Sequence, residues 1–111
     1  MAIWNSWEAT AVMERQQERD VASAVLATIT YADMFDYPLT LEEVHRDLVG
    51  VAATTAAAAR AVGALLTVGR LAVDGPFLTL PGRIGLAELR RERRERAERL
   101  WPAARRFGMI I

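Results

Sequence analysis

Cysteine is absent from this chain of 111 residues, and histidine occurs once, as His45. Without cysteine there is no disulfide framework, no thiolate metal site and no sulfur nucleophile. One imidazole is too few for a histidine-built metal centre. No run approaches the ~18 consecutive apolar residues that a membrane span needs. Residues 1–20 carry Glu8, Glu14, Glu18 and Asp20 where a secretory signal would place a basic start and an apolar stretch. These absences lead to the expectation of a cytoplasmic chain with no membrane contact and no cofactor. No nucleophile–base pair or metal-ligand spacing stands out, so neither a catalytic residue nor a small-molecule substrate is expected.

Lysine is missing too, and every basic residue is arginine. Formal net charge is zero, yet the two signs are segregated: residues 1–82 hold ten acids and five arginines, residues 83–111 nine arginines and four glutamates. The ordinary reading of the second stretch is a solvated, salt-bridged helix. The sharper readings are an acidic partner surface or an arginine-rich tail that meets nucleic acid. Just over half the residues are apolar, enough for one modest core in a single domain.

The apolar spacing predicts helices over most of the chain. Residues 1–16 read as an arm or short helix, with Trp4, Trp7 and Ala11 on one face. Residues 17–35 read as a helix capped by Asp20 and facing inward through Val21, Val25, Ile29 and Ala32. Thr40 and Glu43 form a capping box, and Leu39 with Val44 has the spacing of a hydrophobic staple. That helix, over 39–49, is closed by Gly50. A third, capped by Thr54 or Thr55, runs to about Val68 and buries Ala58, Val62, Leu65 and Leu66.

Between Leu71 and Leu80 the rhythm changes. Two short apolar runs flank Asp74-Gly75, which predicts a hairpin with a type I′ turn. Alternation assigns Leu71, Val73, Leu78 and Leu80 to the buried side and Ala72 and Thr79 to the exposed one. A three-helix layer covers only one side, so the other is expected to be wet. Residues 84–100 read as a charged helix with arginine–glutamate pairs four apart, such as Arg91–Glu95 and Arg94–Glu98, which Pro102 should end or kink. The apolar end, Met109-Ile110-Ile111, suggests that the polypeptide continues or packs on something.

Three helices followed at once by a hairpin predict a mainly α fold with a small β-hairpin, a winged helix-turn-helix with a long arginine-rich C-terminal helix. The expected divisions are 1–16 (arm), 17–83 (winged-helix core) and 84–111 (charged helix and apolar end). The stretch from Thr30 to Val44, containing Phe35-Asp36-Tyr37-Pro38-Leu39-Thr40-Leu41-Glu42-Glu43, resembles the amino-terminal region of bacterial nucleotidyltransferase-like proteins. Gly69 to Leu71, Phe77 to Arg83 and the arginine-rich helix match the same layout. The resemblance implies an accessory winged-helix module preceding a polymerase-β-type catalytic domain. The Gly-Ser turn and Asp-x-Asp pair of such a catalytic domain are absent, so no catalytic role is carried over.

Candidate residues follow from this layout. Asp33 and Asp36 beside Tyr31 and Tyr37 look like an acid pair, but a helix-to-helix turn explains the aspartates, and the aromatics are expected to fill the core. His45 is expected to be solvated or hydrogen-bonded. In a winged helix the third helix reads the major groove; here Arg60 is its one charge, and Asp74 at the wing tip repels phosphate. Arg46, Arg60, Arg70 and Arg83 are the candidates for nucleic-acid contact. Trp4, Trp7, Leu89, Leu100 and Trp101 are the candidates for a protein interface, with a second copy or another domain as partner. Docking on protein is the leading expectation, and a DNA-binding regulator the alternative.

Overall fold

The computed structural model describes residues 5–83 and 85–106. Trp4, the side chain of Trp101 and the Met109–Ile111 end lie outside the described residues. Four helices and three short strands follow in the order α1 (Ser6–Asp33), β1 (Leu39–Thr40), α2 (Leu41–Arg46), α3 (Thr55–Thr67), β2 (Ala72–Asp74), β3 (Phe77–Thr79) and α4 (Leu86–Arg106). The fold is mainly helical with a small antiparallel sheet of order β1-β3-β2.

α1 is one helix of 28 residues, so the expected boundary after residue 16 falls inside it. Its cap is Asn5 rather than Asp20: the Asn5 side chain accepts from the Glu8 amide at 3.0 Å, and Glu8 reaches back to the Asn5 amide. The capping box Asn5-x-x-Glu8 is present in the sequence, and the helix runs unbroken through the polar stretch from Glu14 to Asp20 that separates Met13 from Val21. α1 ends in a left-handed turn. The Tyr37 amide donates to the Ala32 carbonyl and the Asp36 amide to that of Asp33, with Asp36 at φ +54°. This is the bond pattern of a Schellman motif with aspartate where glycine is usual.

The Thr40–Glu43 capping box forms as predicted. α2 stops at Arg46, short of the expected 49, and Gly50 turns the connecting loop at φ +77°. Thr28, buried within α1, accepts from the Val49 amide at 3.2 Å and so pins that loop to the first helix. His45 donates from Nε2 to the Ala53 carbonyl at 2.7 Å, which ties α2 to the approach of α3. α3 begins at its Thr54 cap as expected.

The core joins Val21, Val25 and Ile29 of α1, Val44 of α2, Ala61, Val62 and Leu65 of α3, and Leu39, Leu71 and Leu78 from the sheet. Val25 and Val44 are fully buried, and each such side chain contributes about 1.5–3 kcal/mol of burial.

The hairpin is real but its turn is displaced. Asp74 pairs with Phe77, so the two-residue loop is Gly75-Pro76, not Asp74-Gly75. Gly75 alone takes positive φ, at +59°, which suits the first loop position of a type II′ turn. Proline then holds the second position in the negative-φ range it prefers.

The strand faces also need correction. Leu71 and Leu78 are buried as expected, but Val73 is exposed and Thr79 is buried. Val73 lies on the edge strand β2, whereas its partner Leu78 lies on the central strand β3 and is buried in the core. Thr79 faces the side expected to be wet, on the same face of β3 as Phe77, whose ring has the Arg90 guanidinium of α4 over it at 4.7 Å; Leu86 and Ala87 are buried in the first turn of α4. β1 was missed because two residues are too few to show alternation.

Beyond Arg90 the α4 helix is exposed throughout residues 91–100, with Arg93 still donating to the Asp36 carbonyl at 3.5 Å. The helix runs on through Pro102 to Arg106, so the proline does not end it. Of the charge pairs foreseen on it, Arg94–Glu98 forms at 3.3 Å, and Glu88–Arg91 is found at 3.5 Å instead of Arg91–Glu95.

Candidate interaction surface

The turn between α1 and β1 displays its aromatic residues outward. Tyr31 and Phe35 are 63% and 62% exposed, Met34 is more exposed still, and Val49 across the way is also uncovered. The expectation that Tyr31 and Tyr37 fill the core is therefore overturned, since both are exposed. The inward stripe of α1 runs through Val25, Ile29 and Ala32, and Tyr31, two residues past Ile29, falls off it. That spacing was the signal in the sequence. Tyr31 and Phe35 meet edge to face, with centroids 5.5 Å apart. A groove of about 470 Å³ runs between them and the start of the α2–α3 loop, lined by Thr28, Tyr31, Phe35, Tyr37, Leu39 and Val49.

Arginines from the segment after the hairpin brace this turn. Arg83 donates to Asp33 at 2.8 Å and also pairs with Asp36. Both aspartates are thus engaged as structural anions, and they raise the Arg83 pKa. Arg90 donates to both carboxylate oxygens of Glu43, at 2.7 and 2.9 Å, and to the Pro38 carbonyl at 2.8 Å. Its guanidinium also lies 4.4 Å from the Tyr37 ring centre, a cation–π arrangement. The Arg90 hydrogen bonds, reinforced by those of Thr40, outweigh burial and hold the Glu43 carboxyl at about 2. The turn is thereby held rigid from behind while its aromatic face stays open.

The four candidate nucleic-acid arginines are divided between acidic partners and two separate grooves. Arg83 is committed to Asp33 and Asp36. Arg46 pairs with Asp47 at 3.1 Å. Arg60 lines a groove between α1 and α3, and Arg70 lines another beside Met34 and Leu65. Among the interface candidates, Trp7 and Leu100 are exposed and Leu89 is half-buried. Sequence reasoning missed the surface role of Tyr31 and Phe35, and the structural roles of Arg90 and Asp36.

Among the described residues no cluster of three histidine, aspartate or glutamate side chains could hold a metal ion. No described helix is long and apolar enough to cross a membrane. No family model, no curated protein and no solved structure matches the chain.

Proposed function

We propose that this chain is a non-catalytic winged-helix module that works by docking on protein, in the cytoplasm. The fold assignment rests on the element order, with a short strand between the first two helices and a hairpin after the third, and on the sheet order β1-β3-β2. In that reading α2 and α3 are the helix-turn-helix pair and β2–β3 is the wing.

The observation that carries the function is the open aromatic face of Tyr31 and Phe35, held in place by the Arg83 and Arg90 bridges. Large apolar side chains grouped on a rigid turn lose little entropy on docking and give up much water-exposed area. The resemblance of the Phe35–Glu43 segment to nucleotidyltransferase-associated modules suggests the partner, a polymerase-β-type catalytic domain.

Titration calorimetry with such a domain from the same genome tests this. Wild-type chain is expected to bind, and the Y31S/F35S variant to lose binding while keeping its circular dichroism spectrum. Equal binding by both removes the reading.

DNA binding is the second reading, favoured by one observation: Arg60 on α3 and Arg70 just beyond it are exposed. Duplex binding that weakens with salt and is reduced in R60A/R70A would establish it. Absence of binding at low salt would end it.

A further inference from the structure

A different surface carries a second docking proposal. Along α1, Trp7, Ala11, Glu14, Glu18, Val21, Val25 and Thr28 recur at alternating spacings of four and three, which places them on one face. Val21, Val25 and Thr28 are buried in the core, but on the same face Trp7, Glu14 and Glu18 are exposed. The uncovered half of the stripe holds two acids and no arginine, with Arg15 at its border. Beside it α3 presents the small side chains of Ala57, Ala61 and Ala64 together with Arg60, and the groove between the helices, with two acids against one arginine, measures about 490 Å³.

α4 carries the complement. Leu86, Leu89, Arg93, Arg96 and Leu100 recur at three, four, three and four, again one face. Leu86 is buried against the body, while Arg93, Arg96 and Leu100 project with the exposed part of the helix. This stripe holds two arginines and no glutamate, with Glu92 at its border.

Laid antiparallel, the two stripes have the same spacing. Trp7 then falls opposite Leu100, Ala11 opposite Arg96, Glu14 opposite Arg93 and Glu18 opposite Leu89, one turn from Arg93. The twelve residues from Trp7 to Glu18 and the twelve from Leu89 to Leu100 each span roughly 18 Å.

A chain cannot make this contact with itself. The start of its α4 is tied to the far end of α1 through Arg83 and Asp33. Glu18 lies fifteen residues back along α1 from Asp33, roughly 22 Å away, whereas Leu89 follows Arg83 by only six.

We infer that the occupant of the α1–α3 groove is α4 of a second copy of this chain. The pairing is reciprocal: each copy gives its α4 and receives the other's, so the two contacts form a closed, two-fold dimer. Charge at the centre of the stripes sets the antiparallel register, and the tryptophan and leucines at the ends supply the apolar burial. The proposal uses neither Tyr31 nor Phe35 and so stands apart from the docking reading above.

Sedimentation equilibrium on the full chain, with a charge-swap series, tests it. Wild type is expected to dimerise, more weakly at high salt. E14R/E18R alone and R93E/R96E alone should each raise the dimer Kd at least about tenfold, since each places like charges face to face. Mixed in equal amounts, the two variants should form a heterodimer of near wild-type affinity, because both reciprocal contacts again pair opposite charges. All of these side chains are exposed, so circular dichroism should be unchanged. A wild-type chain that stays monomeric at its highest soluble concentration overturns the proposal. So does a dimer indifferent to both swaps, or two weakened variants that fail to rescue one another. Y31S/F35S should dimerise as wild type does, which separates this outcome from failure of the aromatic surface.

Discussion

Arg90 of α4 grips Glu43 of α2 with two hydrogen bonds, across 47 residues of chain, while the same Glu43 closes the capping box of its own helix. One carboxylate thus completes a local motif and anchors a distant helix. Its pKa lies at about 2 against an ordinary 4.5. A depressed folded-state pKa contributes stability that is complete above the unfolded value and is lost as pH falls through the folded one. Stability against urea should therefore fall as pH drops from about 4.5 to about 2, by on the order of 3 kcal/mol from this group. E43Q should flatten that part of the profile, and an unchanged pH slope in the variant would refute the assignment.

The pair itself can be apportioned. R90A leaves a half-buried carboxylate without its fork and should cost about 2 kcal/mol. In a double-mutant cycle with E43A the coupling should be about 1–3 kcal/mol. R90K should not restore it, because an ammonium cannot span both oxygens and stack between Tyr37 and Phe77. Coupling within experimental error of zero would mean that Glu43 does not anchor α4, leaving its burial at Leu86 and Ala87 and the other contacts of Arg90 to hold it.

Asp36 occupies a left-handed backbone position at φ +54° that favours glycine. Its partnership with Arg83 is largely exposed and is worth at most about 1 kcal/mol, close to the roughly 1 kcal/mol that the backbone position costs. D36G should therefore change stability by less than about 0.5 kcal/mol. D36V keeps neither advantage, and a β-branched residue resists positive φ, so it should lose about 2 kcal/mol or more. Chemical denaturation of both variants decides the matter, and equal losses in the two would mean that the ion pair dominates.

Burial separates the core from the display. V25A and V44A each open space at a fully buried position and should cost about 2 kcal/mol. Y31A and F35A remove larger side chains from exposed sites and should cost less than about 1 kcal/mol, mostly from their edge-to-face contact. Thermal melts of the four variants check this ordering, and a large loss in Y31A would return that ring to the core.

Local chemistry was legible in the sequence. The Thr40–Glu43 and Thr54 caps, the inward stripe Val21–Val25–Ile29 and the presence of a hairpin each depend on residues within one or two turns of each other. Their physics is complete at that range. The turn position was missed by one residue because Asp-Gly and Gly-Pro both satisfy the loop chemistry, and only the strand register, set by Leu78 pairing with Leu39 and Val73, chooses between them.

What tertiary structure alone decided are the relationships across long stretches of chain. Periodicity cannot say that Arg90 of α4 comes to lie over Phe77 on the second face of the sheet, or that Thr79 is buried there. It also cannot say that Arg83 and Arg90 seek acids some fifty residues back, or that Tyr31 finds no neighbour to bury it. An amphipathic pattern states that a face needs cover. Which face receives it depends on where the other elements come to rest.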